Sequence, residues 1–396
     1  MTEVTALALW VLGLSLALLL YTYAGYPLAL WLAGRFRRLP PAAGQAAGDW
    51  PLVSISISAY NEEAQIRELI KSLLALDYPR DRLQVLIISD GSTDRTDAIV
   101  AEYADQGIEL LRMAVRGGKM KAENAASELL RGEIVVNTDA STRILPGSLK
   151  PLVAAMRDPT VGCASGRDVS VGAEGADANR GESGYVGYEM TVGDLETRVS
   201  GIIGAAGCFY AIRARLHSLP LPGTLSRDFA SALHAREHGY RAVSVSEALC
   251  LVPRGQSLRK EYRRKVRTIA RGMRTLWYKR RLMNPLSEGV FAWMLLSHKV
   301  CRWMLPWAAL AALLALVALA PVYLWARAAI GLALVVMALG TVGWLQSDRA
   351  GVPELFAAPA FLIAGNLAAA HALLRVLAGG EDALWEPTRR EVVKAG

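Results

Sequence analysis

The apolar positions fall in three zones with different rhythms. Residues 6–32 are almost continuously apolar and end on Arg35, Arg37 and Arg38. A membrane-crossing helix needs about 20 such residues, so this run is long enough to span, and too long for the apolar core of a secretion signal. From about 50 to 284 the apolar residues come in short runs broken by polar turns. Long apolar stretches return near 303–321, 323–345 and 355–378. The stretch before them carries His298, Lys299 and Arg302 among apolar residues and reads as a helix lying at the interface. The chain thus divides into an N-terminal span (1–39), a polar domain (50–284), an interface helix (285–302), C-terminal spans (303–380) and a tail (381–396).

Inside the polar domain, strand and helix periods alternate. Leu52 to Ser58 alternates and is rich in Ser and Ile, predicting a strand. It breaks at Ala59-Tyr60-Asn61-Glu62-Glu63, and a helix follows to about Leu76. A strand from Leu83 to Ile88 breaks at Ser89-Asp90-Gly91-Ser92-Thr93-Asp94, with a helix to about Tyr103. A strand from Glu109 to Met113 leads to Arg116-Gly117-Gly118-Lys119 and a helix over Lys121 to Leu130. After Gly132, Ile134-Val135-Val136 runs into Asn137-Thr138-Asp139-Ala140-Ser141. This alternation predicts an α/β fold with a parallel sheet and right-handed crossovers. Beyond it come a helix (Gly147 to Met156), strand material (Val161 to Val171), a loop rich in small and polar residues (172–184) and a helix (Tyr185 to about Ile203). The turn Gly204-Ala205-Ala206-Gly207 precedes a further strand, and Ser226-Arg227-Asp228 opens a helix. Tyr262 to Arg274 is helical, with Arg264, Arg267, Arg271 and Arg274 on one face and Val266, Ile269, Ala270, Met273 and Trp277 on the other.

Composition sharpens this picture. Of 396 residues, 53% are apolar, and the net charge is +8. The basic residues cluster beside the spans, after the first and between Arg259 and Arg281, which favours a cytoplasmic middle domain in an inner or plasma membrane, with the N-terminus outside. Three later spans would leave the C-terminus outside, although Arg389, Arg390 and Lys394 prefer the inside. No stretch interleaves aromatic and basic residues as a nucleic-acid groove does. Cys163, Cys208, Cys250 and Cys301 have no paired spacing, so neither zinc nor a disulfide framework is expected, and they read as small buried hydrophobes.

The polar turns at consecutive strand ends would converge on one crevice, where α/β sheets bind ligands. There is no Gly-x-Gly-x-x-Gly and no Walker pattern. Asp139 can be read in two ways: a ligand for a hard cation holding a diphosphate, or a cap of the following helix. The arginine stripe can neutralise a diphosphate or rest on anionic lipid headgroups.

Ser58-Ala59-Tyr60-Asn61-Glu62-Glu63, Ser89 to Asp94, Arg116-Gly117-Gly118-Lys119 with Asn124, and Thr138 to Ser141 follow in an order and spacing that resembles an inverting family 2 glycosyltransferase of GT-A fold. With flanking spans it resembles the membrane-integrated branch that includes hyaluronan, chitin-oligosaccharide, poly-N-acetylglucosamine and cellulose synthases. The resemblance implies that Ala59, Tyr60, Glu62, Asp90, Ser92 and Lys119 bind a nucleotide-sugar, with UDP expected, and that Asp139 binds Mg2+ or Mn2+ on its diphosphate. It further implies that Gly204, Ala205, Ala206 and Gly207, with the helix carrying Tyr188, Glu189, Asp194 and Glu196, lie on the acceptor side. Asp228 is the implied general base, and Arg264, Arg267 and Arg271 support the diphosphate. Partners would be a glycan or lipid-linked acceptor, membrane lipids and an export partner, in polysaccharide or cell-envelope glycan synthesis.

Three positions depart from the family pattern. Ser141 stands where a second metal-binding Asp is usual. Arg227 stands where an acid precedes the base. Thr268 stands in place of the Trp of Gln-x-x-Arg-Trp, and Arg264 in place of its Gln; only Arg267 is kept. These departures sustain two other readings. One is a single-addition transferase acting on a polyprenyl phosphate, whose acceptor needs no base. The other is a degenerate nucleotide- or lipid-binding subunit of a synthase complex. Trp385-Glu386-Pro387-Thr388-Arg389 resembles the C-terminal motif of membrane family members.

Overall fold

The computed structural model describes residues 3–36, 49–171, 180–253, 257–347 and 352–380, the side chains of 180–183 excepted. The linker 40–48, Arg37, Arg38, most of the 172–184 segment and the tail with Trp385 to Arg389, Arg390 and Lys394 lie outside the described residues.

A rod of α1 (Glu3–Leu20), a π turn (Tyr21–Gly25) and α2 (Tyr26–Arg35) precedes the domain. Then β1 (Val53–Ala59), α3 (Ile66–Leu74), β2 (Leu83–Ser89), α4 (Thr96–Ala101), β3 (Ile108–Arg112), α5 (Lys119–Ala126) and β4 (Ile134–Asp139) alternate as the periods predict. Every residue of β1 is buried, as befits a strand covered on both faces. β1 pairs in parallel with β2 and β4, and β2 with β3. The polar turns after β1, β2 and β4 therefore share one edge.

The second half completes the sheet with mixed directions. β5 (Arg143–Ile144), α6 (Leu149–Ala155), β6 (Val161–Val171), α7 (Arg180–Val199), β7 (Phe209–Arg213), α8 (Ala214–His217), α9 (Arg227–Glu237) and β8 (Arg241–Pro253) follow. The sheet order is β3-β2-β1-β4-β7-β6-β8-β5, with β7 antiparallel to both neighbours. This is a GT-A α/β domain with a mostly parallel sheet. Its largest core joins Ile55, Ile57 and Val136 of the sheet to Ile66, Leu69, Ile70 and Leu73 of α3. β8 is an element the periodicity reading passed over. The helix expected over 185–203 instead runs from Arg180 to Val199, and Gly201 at φ +103° turns the chain after it. A side chain there would strike Ala242 O at 2.6 Å.

α10 (Leu258–Tyr278), α11 (Pro285–Glu288) and α12 (Val290–Leu295) lead through a π turn (Leu296–Cys301) into α13 (Arg302–Leu319), then α14 (Leu324–Leu345) and α15 (Glu354–Leu377). Among the described residues four helical rods are long and apolar enough to cross a membrane: Glu3–Arg35, Val290–Leu319, Leu324–Leu345 and Glu354–Leu377. α14 and α15 approach through small residues, with Gly340 against Pro359 and Gly343 against Phe356 and Ala360. α10 buries Val266, Ala270 and Met273 against Ala368 and Ala372 of α15, which ties the polar domain to the last rod. Trp277, expected on that apolar face, is instead 70% exposed, one turn beyond the contact.

A buried polar hub joins the domain to two rods. Glu196 Oε1 accepts a 2.6 Å hydrogen bond from Tyr26 Oη and lies 2.6 Å from His298 Nδ1. Glu196 Oε2 accepts the Ile203 N–H at 3.2 Å. Glu189 bridges His298 and Arg302.

Candidate active site

The first two turns lock together before they meet any ligand. Asn61, at φ +52°, accepts the Thr93 N–H at 2.8 Å, and Asp94 accepts the Glu63 N–H at 3.1 Å. Ser92 Oγ accepts from Asn61 N, and Ala59 O from Asp90 N. Buried Asp90 takes the Gly117 and Gly118 N–H groups on its two oxygens, each at 2.7 Å. Its visible task is to hold the glycine turn that starts α5. The Arg116 guanidinium lies 3.8 Å above the Tyr60 ring, giving a flat platform beside the two turns.

α5 presents Lys119 to the end of β4. Lys119 Nζ lies 2.5 Å from Asp139 Oδ1 and 3.9 Å from Glu123 Oε1, one helical turn on. Burial opposes the ammonium charge, but the two carboxylates outweigh it and raise the Lys119 pKa. Glu123 is 2% exposed; burial raises its pKa against the pull of Lys119 and Arg227.

Asp228 sits in the first turn of α9. Its Oδ1 accepts from Ser226 Oγ and from Phe229 N–H at 2.8 Å. Its Oδ2 faces Gly207, where a β-carbon would stand 2.8 Å away. Arg227, expected to place a cation beside the base, instead turns inward. It is 5% exposed, pairs with Glu123 at 2.9 Å, and donates to Asn124 Oδ1. The acid that the local pattern lacks at 227 is thus met by an acid on α5.

These groups line one cleft of about 500 Å³. It brings together Glu62, Lys119, Asp139, Gly207, Asp228, Arg264, Arg267 and Arg271 from the expected set. Ala59, Tyr60, Asp90 and Ser92 do not line it, nor do Gly204, Ala205 and Ala206, which form the backbone leading to Gly207. Arg264 is held by Glu261 in a two-point contact, and Arg271 donates to Gly223 O at 2.6 Å. Arg274 leaves the stripe and binds Gly380 O. Asp194 pairs with Arg167 and Ser244, and Glu196 is spent in the hub, so neither acid reaches the cleft. Thr268 lines the cleft.

Sequence reasoning missed several lining residues. Tyr23 of the first rod, Tyr185, Arg302 and Trp303, and Leu362, Gly365 and Ala369 of α15 close the cleft on the rod side. A cation inside an apolar helix, as Arg302 is, was the available signal. Asp168 of β6 also lines the cleft, with the Cys208 and Cys250 thiols at 3.3 and 3.7 Å.

The donor chemistry suits a hard cation. Asp139, Asp168 and the Ser141 hydroxyl offer oxygen only, as Mg2+ or Mn2+ prefers. Among the described residues no three His, Cys, Asp or Glu side chains form a cage, so such an ion would share its coordination with a diphosphate and water.

The profile of "Glycosyl transferase family 2" matches residues 54–215. The chain is 33% identical over 159 residues to a beta-monoglucosyldiacylglycerol synthase of Nostoc sp., covering 39% of this chain and 34% of that protein. It is 32% identical to an N-acetylglucosaminyltransferase of Bradyrhizobium elkanii, over 32% of this chain and 71% of that one. The chain spans about a third or less of the length of the first curated relatives it matches. The solved mannosyltransferase PcManGT from Pyrobaculum calidifontis, in complex with GDP-Man and Mn2+, is similar with a TM-score of 0.70 at 23% identity, covering 94% of this chain and all of that one.

Proposed function

We propose that this chain, which belongs to glycosyl transferase family 2, transfers a sugar with inversion from a nucleotide-sugar to a hydroxyl of a lipid-borne acceptor at the cytoplasmic face of the cell membrane. The observation that carries this reading is a cleft lined both by Asp139 and Asp228 and by Tyr23, Leu362, Gly365 and Ala369 of the membrane-length rods. An acceptor with an apolar tail can lie along the rods while its head group reaches Asp228. The Nostoc relative is named for making a glycolipid, which agrees with such an acceptor.

The donor nucleotide would rest on the locked turns of Ala59, Tyr60, Glu62, Asp90 and Ser92, with UDP-sugars the first donors to test. Its diphosphate would face Lys119, Arg267 and Arg271, whose charges balance the leaving group. Asp139, with Ser141 and Asp168 lining the same cleft, would hold Mg2+ or Mn2+, which would supply charge neutralisation at the diphosphate. PcManGT was solved with Mn2+, which supports a divalent ion here. Asp228 takes the acceptor proton through Oδ2, because Oδ1 is already engaged by Ser226 and Phe229. Thr268, where processive synthases have Trp, suits a short product better than a long polymer. The division into a span (1–39), catalytic domain (50–284), interface helix (285–302), later spans (303–380) and tail (381–396) belongs to this proposal, as does a role in cell-envelope glycan synthesis with an export partner.

A second reading is favoured by the cations lining the cleft, Arg264, Lys265, Arg267, Arg271 and Arg302. They would suit a polyprenyl phosphate acceptor, which needs no base. Detergent-purified protein with a panel of nucleotide-sugars, Mg2+ or Mn2+, and either diacylglycerol or polyprenyl phosphate separates the two. Sugar-bearing lipid from diacylglycerol supports the first reading. Product from polyprenyl phosphate alone, undiminished in Asp228→Asn, supports the second. Nucleotide binding with no turnover on any acceptor overturns both.

A further inference from the structure

A row of alternating charges lines the cleft: Arg227 on α9, Glu123 and Lys119 on α5, Asp139 at the end of β4. The spacings are 2.9 Å from Arg227 to Glu123, 3.9 Å from Glu123 to Lys119 and 2.5 Å from Lys119 to Asp139. Arg227 and Glu123 are both buried, and Arg227 is further fixed by Asn124 Oδ1, Met120 Sδ and His217 O. Lys119 therefore has two carboxylates to choose between, and it stands with Asp139.

We infer that Arg227 is a positioning residue for the donor side of the cleft: by neutralising Glu123 it leaves Lys119 at Asp139, facing the diphosphate. The physical reason is competition within a water-poor site, where attraction between charges is strong. Without the guanidinium, Glu123 keeps Lys119 as its remaining ion-pair partner. The ammonium needs to travel only a short way along its own helix to close that contact. The donor then loses a cation although no residue facing it has changed. The inference rests on reading Lys119 as a diphosphate-facing group.

The test is calorimetric titration of UDP and GDP, with Mn2+, into the full chain in detergent, with a melting curve for each variant. Arg227→Met should bind nucleoside diphosphate about tenfold more weakly, and Arg227→Lys should fall between it and the parent. The double variant Glu123→Gln/Arg227→Met should regain the parent affinity, because no unpaired acid then competes for Lys119. A purely structural role for Arg227 would lower the melting temperature without this pattern of loss and rescue. If Arg227→Met does not fold, the double variant decides: parent-like binding supports the inference, and weak binding overturns it. Folded Arg227→Met with unchanged affinity also overturns it while leaving the proposed activity standing. Failure of the parent chain to bind any nucleoside diphosphate overturns both.

Discussion

A β-carbon at Gly207 would stand 2.8 Å from Asp228 Oδ2. The turn before β7 is thus shaped around the carboxylate that faces the cleft, and the side chain that can yield is Asp228 itself. Gly207→Ala should therefore turn the proposed base, Asp228, off its line. Turnover should fall by about 10- to 100-fold, since small misplacements of a proton acceptor are costly. The melting temperature should barely move, because the displaced group is the end of one side chain. Steady-state rates beside a melting curve check this.

Glu196 holds three donors from three parts of the chain: Tyr26 Oη, His298 Nδ1 and Ile203 N–H. Ile203 leads directly into the 204–207 turn. Glu196→Ala leaves these buried groups without their acceptor, at a cost of about 3–5 kcal/mol. The expected outcome is a lower melting temperature together with weaker acceptor use. Glu196→Gln, which keeps the shape, should lose less. An unchanged melting curve for Glu196→Ala would remove the hub from the account.

Stability should fall with acid through His217. Burial first, and Arg227 second, push its pKa down to about 3, against about 6.5 in an unfolded chain. The folded state keeps the ring neutral while the unfolded state takes a proton. The stability is therefore intact above pH 6.5 and is lost as pH drops from there toward 3, at up to about 1.4 kcal/mol per pH unit. His217→Gln should flatten that slope in melting curves taken between pH 7 and 4.

The first half of the domain was legible because its signals are local. Alternation marks β1 and a short apolar run marks β2, and the turn after β1 bonds to the turn after β2, as Asn61 does to Thr93. Asp139 and Asp228 carry their chemistry in short motifs. The membrane-length helices were legible from run length alone. What escaped depends on contacts across long separations. Arg227 is read from its neighbours as a cation beside the base, but its partner Glu123 lies on α5, so only the fold shows that the charge is turned inward and neutralised. Asp168 sits on an ordinary strand and becomes part of the cleft through the parallel pairing of β6 with β8. Tyr23 looks like one more aromatic residue in an apolar run. β8 does carry a local signal, since Ala242-Val243-Ser244-Val245-Ser246 alternates as a strand should.

The central claim is that Asp139 and Asp228, which line the same cleft, serve one transfer reaction. The most direct measurement is release of free nucleotide by the purified chain in detergent, with donor, diacylglycerol and Mn2+, for the parent, Asp139→Ala and Asp228→Asn. Asp139→Ala should lose donor binding and metal dependence together. Asp228→Asn should keep donor affinity and lose about 100-fold or more in turnover. Turnover unchanged in either variant would contradict the account.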